Sequence, residues 1–322
     1  MEERRFDVRA SRPVTPLKKI GFQAGAIALA LGLAWFLVSN TLDNLAARNI
    51  ASGFGFLRRE AGFEIGEALV SYSAADTYLR ALAVGLLNTV RVATIGVVLA
   101  TLVGFAIGLS GLAGNALLKG LSRAYVEFIR NTPLLVQLFF WYALISDALP
   151  SPREALQPLP HVFLSNRGIF FPLPGSVPAL EGFNFSGGGH LSPELATLLA
   201  GLVLYTAAFI AEIVRAGVLS VPRGQIEAAD ALGLTVFQKT RSIVLPQALR
   251  VIVPPLTSQY LNLVKNSSLA VAIGYPDFVA VVNTTINQTG QAIEGIALIM
   301  AAYLTVSLAI SAFMNWYNAR VR

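Results

Sequence analysis

The chain has 322 residues, 55% of them hydrophobic and only 13% charged, against roughly 25% charged in soluble domains. It has no cysteine, which excludes disulfides, thiol catalysis and Cys-ligated metals. The net charge of +6 comes from Lys and Arg clustered beside apolar segments, a pattern of membrane topology rather than of nucleic-acid binding.

In chain order, residues 1–20 form a basic tail with Arg4, Arg5, Arg9, Arg12, Lys18 and Lys19. Residues 21–40 carry no charge and match the roughly 20 residues a helix needs to cross a bilayer. No small-residue cleavage site follows, so an uncleaved anchor is expected. Five further apolar segments predict spans at about 81–111, 124–145, 194–218, 251–273 and 293–313. The expected fold class is therefore all-α integral membrane, with about six transmembrane helices. The second span contains Gly104-x-x-x-Gly108, which permits close helix approach.

Between the spans lie two distinctive segments. Segment 41–80 is mildly amphipathic, and Phe54, Phe56, Leu57 and Phe63 are expected at the membrane interface. Segment 148–192 holds seven prolines and the run Gly187-Gly188-Gly189, which forbids a continuous helix. His161 and His190 fall in it without carboxylate spacing that resembles a metal site. With the N-terminus inside, the inner segments (1–20, 112–123, 215–250, 315–322) hold fifteen Lys and Arg and the outer ones (41–80, 148–192, 276–291) six. This bias predicts that both termini and loop 222–250 are cytoplasmic and that 41–80 and 148–192 are periplasmic.

Loop 222–250 reads as two short helices. Pro222 suits a first turn, and 226–232 favours helix. Gly233 is placed to end that helix in the left-handed conformation. Thr235 and Gln238 form a capping-box pattern for the second helix, and Leu245-Pro246 is expected to stop it. A helix–turn–helix exposed on one side of a membrane protein offers a dock.

The spacing Glu227-Ala228-Ala229, three residues, Gly233, nine residues, Ile243, one residue, Leu245-Pro246 resembles the EAA loop of permease subunits of ATP-binding-cassette importers. The stretches 125–137 (YVEFIRNTPLLVQ), 208–217 (AFIAEIVRAG) and 263–270 (LVKNSSLA) resemble the polar amino-acid branch, which serves His, Glu, Gln and Arg. Residues 165–172 (SNRGIFFP) add a likeness to permeases of general L-amino-acid systems, whose long members carry a larger insertion between Pro174 and Gly182. The likeness covers roughly residues 80–315.

This resemblance implies a type I importer permease fold, with a tail (1–20), an anchor (21–40), a periplasmic segment (41–80), a transport domain (81–315) and a short tail (316–322) in a bacterial inner membrane. It implies a second permease subunit, as a heterodimer or homodimer, a periplasmic amino-acid-binding protein, and cytoplasmic ATPase subunits docked on Glu227, Ala228, Ala229, Gly233, Ile243, Leu245 and Pro246. The chain contains no G-x-x-x-x-G-K-[ST] loop, so ATP and Mg are expected on the partner and no cofactor or enzymatic activity here. The competing reading is a self-contained secondary amino-acid transporter, for which no inverted repeat is visible. A membrane enzyme would want clustered His, Asp or Glu, which the spans lack.

Polar residues inside spans mark function by default. Ser258, Gln259, Asn262, Lys265 and Asn266 fall on one helical face. Lys265 lies roughly 21 Å from the start of its span at 1.5 Å per residue, deep enough to meet a substrate carboxylate; the alternatives are a pair with a carboxylate of its own chain or a local helix break at Lys265–Ser268. Glu212 and Arg215, and likewise Glu127 and Arg130, are three apart and are expected to pair structurally at helix ends. Arg91 is left to snorkel or to pair, with Asn88 or with another helix.

Overall fold

The computed structural model describes residues 16–47 and 52–321. It divides into two units, Met1–Gly53 and Phe54–Arg322. The basic residues Arg4, Arg5, Arg9 and Arg12 lie outside the described residues. Among the described residues the first unit holds one helix, α1 (Pro16–Ala47), whose stretch Gly21–Thr41 is long and apolar enough to cross a membrane. It outruns the expected anchor at both ends, by residues 16–20 and 41–47.

The second unit is built around α2 (Tyr78–Ser110) and α5 (Pro193–Leu219), which pack side by side. Small residues let them do so. A Cβ on Gly104 would stand 2.6 Å from Ile210 Cβ, and one on Gly108 would stand 2.6 Å from the Ala211 carbonyl. Without a hydrophobic drive between helices in lipid, such close van der Waals contact is what holds them. The partners advance together, Gly104 to Ile210 and Gly108 to Val214, so the two helices run parallel. Helix α8 (Leu245–Asn266) runs the other way. Its Leu263 meets Gly96, its Tyr260 hydroxyl lies 2.9 Å from Thr101 Oγ1, and its Ile252 meets Gly217. Pro254 and Pro255 sit inside α8, both exposed. Helix α10 (Ala292–Val321) closes the bundle against α8 and α9 (Phe278–Thr289).

The third expected span is broken. Residues 124–145 divide between α3 (Ala116–Asn131) and α4 (Leu134–Ala143), which meet at 104°. Proline drives the residue before it out of helical conformation; Thr132 is extended at φ −103°, ψ 126° before Pro133. Gln137 heals the break by donating from Nε2 to the carbonyls of Ile129 (3.1 Å) and Thr132 (3.0 Å). The fifth span also bends. After α8 the chain tightens into a 3-10 turn (Ser267–Ile273), and α9 then departs at 52°. Among the described residues four helices are long and apolar enough to cross a membrane, and six spans result if each bent pair counts as one.

The bundle has two ends. At one, helices α6 (Arg223–Ala231) and α7 (Val236–Lys239) link α5 to α8. At the other, segment 148–192 is not irregular. It forms β1 (Leu156–Leu159), β2 (Val162–Ser165), β3 (Gly168–Phe171) and β6 (Gly189–Leu191) in an antiparallel sheet ordered β1-β2-β3-β6, plus a hairpin of β4 (Ala179–Glu181) and β5 (Asn184–Ser186). The helical membrane fold thus carries a small β insert in this segment. Its core is aromatic: Phe163 stacks on Phe185 at 4.4 Å, and buried Phe170 stacks on His190 at 4.5 Å.

Residues 54–77 form a strap at this sheet end. Phe56 is 2% exposed and packs edge-on against Tyr78, and Phe63 packs against Tyr72 and Tyr78. Phe56, Leu57 and Phe63 belong to one apolar cluster with Phe278, Val281 and Val282 of α9. Folding on α2 and α9 thus places apolar surface of these three against protein, most completely for Phe56. Only Phe54 stays half exposed.

Candidate functional site

The α6–α7 loop is rigid for reasons readable in its backbone. Gly233 takes φ +70°, the conformation only glycine adopts at little cost. The Leu234 N–H then donates to the Ala229 carbonyl and the Gly233 N–H to that of Asp230, the paired bonds of a Schellman end. Thr235 and Gln238 form a reciprocal capping box on α7. Lys239 Nζ bridges back to Asp230 Oδ1 at 2.6 Å, and Gln247 Nε2 donates to Gln225 Oε1 at 2.5 Å, tying α8 to α6.

Leu245-Pro246 does not stop the helix as expected. The chain passes from α7 through a wide turn (Thr240–Val244), in which Leu245 N–H reaches back five residues to the Thr240 carbonyl, and α8 begins there with Pro246 in its first turn. Proline is tolerated at that position because its missing N–H has no helical partner to lose. Glu227, Ala228, Gly233, Leu245 and Pro246 are exposed, Ile243 is half-buried and Ala229 is buried. Beside them stand three apolar side chains that no helix among the described residues covers: Leu232 (80% exposed), Val236 (75%) and Phe237 (69%). Their sequence signal is plain: large apolar residues in an otherwise polar loop.

On α8, Ser258, Asn262 and Lys265 are exposed and Gln259 and Asn266 half-buried, so the predicted stripe faces away from the subunit's own core. Lys265 lines a cavity of about 430 Å³ with Ser268, Asn283 and Tyr303. Among the described residues it has no ion-pair partner, and α8 ends one residue beyond it, at Asn266, before the 3-10 turn.

The two expected ion pairs part company. Arg215 holds Glu212 with both arms, Nη2 to Oε1 at 2.6 Å and Nε to Oε2 at 3.0 Å. Glu127 and Arg130 form no pair. Arg130 instead lays its guanidinium over the Phe209 ring of α5, 5.0 Å from its centre. That face-on contact draws the side chain across to α5, away from its own helix. All four residues line one cavity of about 510 Å³ between α2, α3 and α5.

Arg91 finds a partner that its own helix could not supply. Its Nη1 lies 2.7 Å from Glu67 Oε1 in the strap, and the other carboxylate oxygen of Glu67 accepts from Ser192 Oγ at 2.6 Å. Asn88 donates to the Glu67 and Pro276 carbonyls, at 2.8 and 2.9 Å. Sequence reasoning missed Glu67, whose partners are 24 and 125 residues away.

A bundle of bent spans with a rigid helix–turn–helix at one end is the setting in which family comparison becomes decisive. Residues 96–322 match the model of the binding-protein-dependent transport system inner membrane component. The chain belongs to this family. The permease is 45% identical to the putative amino-acid ABC transporter permease protein YhdX of Escherichia coli (strain K12), with 93% of each chain covered. It is 42% identical to the general L-amino acid transport system permease protein AapQ of Rhizobium johnstonii, covering 94% of this chain and 92% of that one. Among solved structures, one described as an amino acid ABC transporter with histidines superposes with TM-score 0.56 at 26% identity, over 76% of this chain and 95% of the other. The MetNI methionine transporter in an inward-facing form shares the fold at TM-score 0.54 and 17% identity. The permease is thus a membrane-spanning subunit with the type I importer architecture.

Proposed function

We propose that this permease forms the membrane pathway of an ATP-driven importer of L-amino acids and takes its driving force from a separate ATPase through the loop Glu227–Pro246. The observation that carries the coupling role is the loop itself. A Schellman end, a capping box and a Lys239–Asp230 bridge hold an apolar patch and Glu227 outward in fixed geometry. A rigid, exposed, partly apolar surface fits a groove on a partner. The amino-acid cargo is supported by the amino-acid transport named for both full-length relatives.

In this reading the α6–α7 end is cytoplasmic, in keeping with the fifteen-to-six excess of Lys and Arg that the sequence places in the inner segments. The sheet end is periplasmic and faces a solute-binding protein. A second permease subunit meets the outward polar face of α8, where Ser258, Gln259, Asn262, Lys265 and Asn266 line the pathway. ATP and Mg stay on the ATPase, and this chain carries no cofactor.

The test is co-purification from detergent. A Walker-motif ATPase should come down with the wild type and be lost in Gly233→Pro. Amino-acid uptake by this chain alone in proteoliposomes, driven by an ion gradient, would overturn the reading in favour of a secondary transporter.

A further inference from the structure

The cavity between α2, α3 and α5 carries charge that the bundle does not use. Four basic side chains (Lys119, Arg123, Arg130, Arg215) and two acidic ones (Glu127, Glu212) line it. Only Arg215 and Glu212 satisfy each other. Among the described residues Lys119, Arg123, Glu127 and Arg130 have no ion-pair partner, although Arg123 and Arg130 both lie within electrostatic reach of Glu212.

Their placement follows from α3. At 100° per residue, Lys119, Arg123, Glu127 and Arg130 fall on one face, while exposed Leu117, Leu121 and Phe128 fall on the opposite one. Burying Ile129 and Ser122 against the bundle therefore aims the charged face at the cavity. Arg130 is further prepared. Its stacking on Phe209 fixes the guanidinium plane and leaves its N–H edge without a hydrogen-bond partner among the described residues. A guanidinium held flat presents a fork that matches a carboxylate with two parallel hydrogen bonds. One helical turn away, Glu127 is an acceptor for an ammonium group.

We propose that this cavity is an amino-acid station within the permease, holding the α-carboxylate in the Arg130 fork with Arg123 beside it and the α-ammonium at Glu127. The inference rests on the amino-acid reading above and adds a selectivity to it. Four cations against two carboxylates leave the empty cavity positive. A glutamate or aspartate side chain reduces that excess and a neutral side chain leaves it unchanged, whereas a lysine or arginine side chain adds to it. The station therefore favours acidic and neutral amino acids over basic ones. About 510 Å³ is within the range of small-molecule sites.

The experiment titrates L-glutamate, succinate and L-lysine by calorimetry into the permease assembled with its partner subunits in nanodiscs, without binding protein. Glutamate should bind at least tenfold more tightly than succinate, which has no ammonium, and than lysine. Arg130→Gln and Arg130→Lys should each weaken glutamate at least tenfold, since lysine keeps the charge but loses the fork. Glu127→Gln should weaken glutamate and leave succinate unweakened or tighter, because the cavity loses a negative charge, a pattern that a folding defect does not produce. Equal binding of succinate and glutamate, tight lysine binding, or unaltered Arg130 variants would overturn the station. Uptake into proteoliposomes with binding protein separates the two readings. Amino-acid import by a complex that binds no glutamate in nanodiscs removes only the station; failure to import any amino acid removes the cargo assignment.

Discussion

Glu67 Oε1 and Arg91 Nη1 lie 2.7 Å apart, each side chain about one-fifth exposed, and the same carboxylate receives Ser192 Oγ. One residue of the strap thus fastens the middle of α2 to the start of α5. A charge inside a span is tolerated when it is paired, and Arg91 is paired by a residue that precedes the bundle.

Removing one partner of such a pair leaves the other charge uncompensated, at a cost of about 2–5 kcal/mol. Glu67→Ala should fall toward the lower end of that range, because water still reaches the site. The thermal midpoint of purified protein should drop, and the double variant Glu67→Ala, Arg91→Ala should lose clearly less than the sum of the two singles. Strict additivity would show that the pair contributes nothing.

Two glycines in neighbouring helices make opposite predictions. A Cβ at Gly108 meets the Ala211 carbonyl at 2.6 Å, backbone that cannot turn aside, so Gly108→Ala should destabilise by about 1–3 kcal/mol as overpacking does. Gly120 in α3 has nothing within 4 Å. Gly120→Ala should stabilise by up to about 1 kcal/mol through helix propensity. Melting curves of the two variants side by side decide it.

At Gly233 the φ of +70° makes any other residue strained. Gly233→Ala should cost about 1–2 kcal/mol locally and loosen the angle between α6 and α7 while leaving the bundle intact. The measurement is ATPase activity of the reconstituted complex with and without substrate. Stimulation should fall while basal hydrolysis persists. Glu227→Lys should uncouple in the same way, and unchanged uptake in it would remove this residue from the dock.

Lys265 faces its cavity without a carboxylate partner among the described residues. Lys265→Ala should therefore leave stability within about 0.5 kcal/mol, as for surface sites, and shift uptake among acidic, neutral and basic amino acids. An unaltered uptake profile would show that the residue does not meet substrate.

What the sequence discloses depends on how far apart the interacting groups are. Helices α2, α5 and α10 announce themselves as long apolar runs, and Gly233, Thr235 and Gln238 announce the loop, because hydropathy and capping are local properties. Pro133 also carried a local signal, but the apolar run on both sides of it masks the break. The hairpin of β2 and β3 was hidden by the prolines around it, although the alternation at 162–165 and 168–171 is strand-like. Helix α9, free of Lys and Arg, reads as an outer loop until its buried face (Phe278, Val281, Val282, Thr285) meets the strap. Glu67–Arg91 and Arg130–Phe209 are long-range choices of partner, and no spacing rule reaches them.

Pro254 and Pro255 of α8 have no N–H, so the carbonyls of Arg250 and Val251, one turn earlier, lack their usual helical donors. In hydrocarbon each unsatisfied carbonyl costs several kcal/mol. That penalty evicts lipid from this side of α8: the exposed edge carrying the two prolines, Ser258, Asn262 and Lys265 must be wetted or covered by protein. The paired prolines thus act as a hydration mark, distinguishing the side of the permease that borders water or another chain from the side that borders fatty acyl tails.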